Sequence, residues 1–96
     1  MHWIRLRLGP GVKAMQPFPV HVEVAEAAAV EVRFEMPGMN MGENRYRLRQ
    51  TPAGSWEGRA VLPICLSGRS DWVARVELRD RDGHRYEAVF PFRLGK

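Results

Sequence analysis

DWVARVELR at residues 71–79, DRDG at 80–83 and HRYEAVFPFRL at 84–94 decide how the rest of the chain is read. Trp72, Ala74, Val76 and Leu78 are apolar and separated by Val73, Arg75 and Glu77; Tyr86, Ala88, Phe90 and Phe92 repeat the pattern after the break. An extended chain points successive side chains to opposite faces, so a period of two marks a strand with one buried and one wet face. The intervening Asp82-Gly83 pair predicts a two-residue hairpin, because both residue types accept the positive φ of such a turn.

The same parity runs outward through the whole chain. Ile4, Leu6 and Leu8 alternate with Arg5 and Arg7; Val20, Val22 and Val24 with His21 and Glu23; Val30, Val32 and Phe34 with Glu31, Arg33 and Glu35. Tyr46 and Leu48 stand between Arg45, Arg47 and Arg49. Gly9-Pro10-Gly11, Pro17 with Pro19, Thr51-Pro52-Ala53-Gly54 and Ser67-Gly68-Arg69-Ser70 punctuate the runs as turns and edges. The expected strands are 3–8, 18–24, 29–36, 44–49, 56–63, 71–79 and 84–94. No segment carries a convincing 3.6-residue stripe. The chain therefore reads as one all-β domain over 1–96, an immunoglobulin-like antiparallel β-sandwich of about seven strands, with a five-stranded barrel as the rival architecture.

Ninety-six residues, 45% hydrophobic and 27% charged, suit one sheet-on-sheet core. The net charge of +4 is almost all arginine, with Lys13 and Lys96 the only lysines. The arginines alternate with Glu and Asp along the strands, which reads as solvated faces. No basic stripe or base-stacking motif points to nucleic acid. One cysteine, Cys65, permits no internal disulfide. There is no run of 18 apolar residues and no visible signal peptide, so the expectation is either a cytosolic protein or one whose anchor lies outside these residues.

Two segments break the alternation. The first, Met36-Pro37-Gly38-Met39-Asn40-Met41-Gly42, sets three thioethers in a turn stiffened by proline and glycine. Thioether sulfur is a soft neutral donor suited to Cu(I) and poorly suited to Mg²⁺, Ca²⁺ or Zn²⁺. The same methionines also read as a plug closing the end of the sandwich, Met36 having core parity, or as a patch for a partner. The second segment, Leu62 to Trp72, carries Cys65 after a proline with parity opposite to the core. Cys65 reads as a thiolate that would strengthen a Cu(I) site, as a small buried hydrophobe, or as a redox-active thiol. His2, His21 and His84 are far apart without the spacing of a structural zinc site. No nucleophile–base pair, carboxylate dyad or phosphate loop is legible, so no enzyme is expected.

From Glu35 to Val76 the chain reads Met-Pro-x-Met-x-Met-Gly, a short strand ending at Leu48, Gly-x-Trp-x-Gly at 54–58, a proline-containing strand, and Gly-Arg-x-Asp-Trp at 68–72. This resembles the YtkA-like and FixH-like domains, over a little under half of the chain. The resemblance implies an immunoglobulin-like, membrane-anchored, extracytoplasmic bacterial domain on the periplasmic side of the inner membrane. It implies a link to copper supply and cytochrome oxidase assembly, with a copper chaperone or an oxidase subunit as partner. The chain departs from the family in lacking histidine beside the methionines and in offering Cys65 where a methionine often sits. The expected ligands to Cu(I) are Met39, Met41 and Cys65, with Met36 in reserve or as a hydrophobic wall. Pro37, Gly38, Gly42 and Gly68 would shape the site, and Trp72 would support it from beneath. The alternative expectation is a metal-free interaction domain of a membrane-anchored assembly factor.

Overall fold

The computed structural model describes residues 3–38, 44–63 and 71–93. Among them, eight strands form two antiparallel four-stranded sheets. The strands are β1 (Ile4–Leu8), β2 (Phe18–Val24), β3 (Ala29–Glu35), β4 (Arg45–Arg47), β5 (Arg49–Gln50), β6 (Trp56–Ala60), β7 (Asp71–Arg79) and β8 (Arg85–Arg93). Sheet one has the order β1-β2-β6-β5 and sheet two β4-β3-β7-β8. Consecutive strands pair within a sheet, and the chain changes sheet after β2, β4 and β6, in the manner of an immunoglobulin-like sandwich.

The parity legible in the sequence is the parity of the core. All fifteen buried hydrophobic side chains among the described residues are even-numbered, from Phe18, Val20 and Val22 through Val30, Val32, Phe34 and Met36 to Trp72, Ala74, Val76 and Leu78. No polar or charged residue is buried among the described residues. Phe34 lies at the aromatic centre, edge-on to Phe18 at 5.8 Å across the sandwich, to Tyr46 at 6.1 Å and to Phe92 at 6.0 Å. On the edge strands β1 and β8 the even-numbered side chains are less covered: Ile4, Leu6 and Leu8 are half-buried, and Tyr86 is exposed.

Three expectations need correction. The strand expected over 44–49 is two short strands in different sheets. Tyr46 pairs with Val32 in sheet two, whereas Arg49 and Gln50 pair with Glu57 and Trp56 in sheet one. Leu48 makes the crossing: its N–H still donates to Val30 O at 2.9 Å, and its side chain enters the core over Gly58, where a Cβ would lie 2.7 Å from Leu48 Cδ2. Glycine at 58 leaves the room that the crossing needs. The strand expected over 56–63 ends at Ala60.

The Asp82-Gly83 turn is also longer than two residues. Asp80 N–H donates to His84 O at 3.0 Å and Gly83 N–H to Asp80 O at 3.1 Å, so the loop is Arg81-Asp82-Gly83, with Gly83 at φ +87°. The Asp80 carboxylate selects this turn by accepting from the N–H groups of Asp82 and His84 at 3.0 and 2.9 Å.

Candidate functional site

β3 and β7 run antiparallel with Glu35 opposite Val73, so the chain leaving β3 through Met36 starts beside the residues where β7 begins. The chain returns to β4 at Asn44, whose carbonyl accepts from Phe34 N–H at 2.9 Å. β6 is tied to the same place. Tyr46 Oη donates to Val61 O at 2.8 Å and accepts from Val61 N–H at 3.1 Å, while Asn44 Nδ2 donates to Val61 O at 3.2 Å. Residues flanking both the methionine segment and the cysteine segment therefore stand at one end of the sandwich.

Met36 is 1% exposed and plugs the core at that end. Trp72 is buried beneath the same end, and its indole N–H has no hydrogen-bond partner among the described residues. Pro37 and Gly38 are exposed; Gly38 has φ +79°, a conformation glycine adopts without penalty. Pro37, Asp71, Trp72, Pro91 and Phe92 line a shallow depression there. Met39, Met41, Gly42, Cys65 and Gly68 lie outside the described residues.

A further thioether sits nearby that the sequence reading did not single out. Met15 is 59% exposed, and its N–H donates to Leu62 O at 2.7 Å, one residue past the Tyr46 anchor. Its φ of +65° is unusual for a residue with a side chain. The only signal in the sequence was a methionine in a turn otherwise made of Lys, Ala, Gln and Pro.

The charged groups around this end are held firmly. Glu35, next to Met36, contacts Arg75 Nε at 2.7 Å and Arg33 Nε at 2.8 Å. The hydrogen bond from Arg75, joined by the charge of both arginines against a desolvation that works the other way, keeps its carboxyl below the ordinary range.

The described histidines lie elsewhere. His21 is on the outer face of sheet one, with Nδ1 3.3 Å from Glu57 Oε1 and Nε2 3.4 Å from Glu23 Oε1. His84 is in the β7–β8 hairpin, at the end remote from Met36, where Asp80, Asp82 and His84 offer ligand atoms within 4.8 Å of one another. The turn accounts for this cluster. Burial works to raise the Asp80 carboxyl, but the N–H groups of His84 and Asp82 and the His84 ring hold it below its ordinary range.

No known family model matches the chain, and no curated protein is similar to it.

Proposed function

We propose that this β-sandwich is an extracytoplasmic domain that carries Cu(I) for an oxidase-assembly or copper-supply system, using methionine and cysteine sulfur at one end of the fold. The ligands are Met39, Met41 and Cys65. Met36 and Trp72 form the dry wall under them, and Met15 brings an additional thioether to the same end. Thioethers bind Cu(I) without charge neutralisation, and a thiolate strengthens the set. Low coordination leaves room for an incoming donor, so the metal passes to a partner, a copper chaperone or an oxidase subunit, by ligand exchange.

The observation carrying this reading is the meeting of the strand ends that flank both sulfur segments, through the Glu35–Val73 register and the Tyr46–Val61 hydrogen bonds. The described roots of both segments stand at one end of the sandwich, which is the placement that sulfur from both would need to share an ion. The test is an anaerobic Cu(I) competition titration against a chromophoric chelator. One Cu(I) per chain is expected, with affinity lowered about tenfold or more in the Met39→Leu/Cys65→Ser double variant. Substoichiometric binding, or equal affinity in the double variant, overturns the reading.

A further inference from the structure

The outer face of sheet one has a feature that copper handling does not use. A single row of side chains crosses all four strands: Arg7 on β1 is opposite His21 on β2, His21 is opposite Glu57 on β6, and Glu57 is opposite Arg49 on β5. Arg59 stands one row further along, opposite Pro19. The face is concave, walled by the Gly9–Pro10 turn on one side and by Gln50–Pro52 on the other, and Arg47 also lines it.

Both carboxylates of this face have a basic neighbour other than Arg7, Arg49 and Arg59. Glu23 faces Arg5 at 3.6 Å and His21 at 3.4 Å, and Glu57 faces His21 at 3.3 Å. Arg7, Arg49 and Arg59 make no ion pair among the described residues. Three guanidinium groups thus line a trough whose one carboxylate, Glu57, lies against His21 rather than in an ion pair with any of them.

We propose that this trough is a docking groove for an extended acidic peptide segment of a partner protein. A guanidinium presents a planar fork that fits a carboxylate at two points. Alternate side chains of an extended peptide lie about 6.8 Å apart on one face, the distance that separates the Arg7–Arg49 row from the row of Arg59. Arg7 and Arg49 are three strand spacings apart, about 14 Å, so they flank a single chain lying between them. Nucleic acid fits less well: no aromatic side chain lines the trough to stack on a base. A lipid surface is flat and would be held off the floor by the two turns. The inference does not depend on the copper reading.

The test uses fluorescence anisotropy of a fluorescein-labelled decaglutamate peptide at low salt. Two triple variants remove the same charge, Arg7→Gln/Arg49→Gln/Arg59→Gln on this face and Arg79→Gln/Arg85→Gln/Arg93→Gln on sheet two. The expected result is binding by the unaltered protein, weakened about tenfold or more by the first variant and about twofold or less by the second. Amide shift mapping of the unaltered protein with the same peptide is expected to move β1, β2, β6 and β5 and to spare β7 and β8, a readout that survives any folding defect in a variant. Equal losses in both variants, no binding, or shifts spread over both sheets overturn the proposal. So does tighter binding of a ten-residue oligothymidylate or of phosphatidylserine vesicles than of the peptide.

Discussion

The two outer faces of the sandwich are written in the same alphabet of arginine and glutamate and end in different states. On sheet two the register mostly sets like charges opposite one another: Arg33 faces Arg75 and Arg45, Glu31 faces Glu77, and Glu77 faces Glu87, with Arg47 opposite Glu31 the exception. Ion pairs therefore form mainly between rows, along the diagonals and, from Arg33 to Glu35, along β3 itself, within reach of long side chains. Glu35 holds Arg33 and Arg75, Arg75 also reaches Glu87 at 3.0 Å, and Glu31 lies 3.7 Å from Arg45. On sheet one the opposite signs share a row and are interrupted by His21, so the two acids are consumed near the centre and Arg7, Arg49 and Arg59 remain at the margins. Alternation assigns a residue to a face; register assigns it a partner.

The largest effect expected is one that abolishes both faces together. Phe34→Ala removes the ring that packs edge-on against Phe18, Tyr46 and Phe92, and should cost about 3–5 kcal/mol in chemical denaturation. A loss under about 1 kcal/mol would mean that the sheets are not joined through this ring. A change confined to sheet one comes next. Gly58→Val places a branched side chain where a single Cβ already lies 2.7 Å from Leu48 Cδ2, and should cost about 1–3 kcal/mol. Because Leu48 is the obstacle, Leu48→Ala should cost less in the Gly58→Val background than alone, and strictly additive losses would contradict the crossing geometry.

Smaller effects separate the faces themselves. Glu35→Gln breaks two partly exposed ion pairs and should cost about 0.5–1 kcal/mol after solvent screening, whereas Arg7→Gln should stay within about 0.5 kcal/mol of the unaltered protein. Equal costs would erase the contrast between the faces. Acid titration sharpens it. The Glu35 carboxyl is held down in the folded state by the Arg75 hydrogen bond and by the charge of Arg33 and Arg75, so its contribution is complete above the ordinary glutamate value near 4.3 and disappears as the pH falls through the lower folded value. The stability gap between the unaltered protein and Glu35→Gln should therefore be constant at neutral pH and close in acid. A gap that widens in acid would reverse the sign of the linkage.

Of the candidate site, the sequence conveyed which residues have the chemistry. The thioethers and the thiol break the alternation, and soft donors outside a hydrophobic face are visible in a linear text. Met36 illustrates the limit. Its even number placed it with the core as readily as with the ligands, and its burial gives it the core. Met15 was missed because nothing local ties a turn before β2 to the end of β6; only the hydrogen bond to Leu62 does so. The row through His21 was equally hidden. Arg7, His21, Glu57 and Arg49 are separated by long stretches of chain, and the pairing that aligns them is not a local property.

The sequence by itself determined that the protein is all-β, which residues of each strand face inward, and which segments interrupt the pattern. Those features follow from the two-residue period of an extended backbone, a local constraint that needs no partner. Only the tertiary structure decided that the chain changes sheets at Leu48, that Asp80 and His84 close the last hairpin around three residues, and which arginines have carboxylates to hold. These depend on strand order and register, which come from contacts between residues distant in the chain: the room left by Gly58, the aromatic cluster around Phe34 and the anchoring of Tyr46 on Val61.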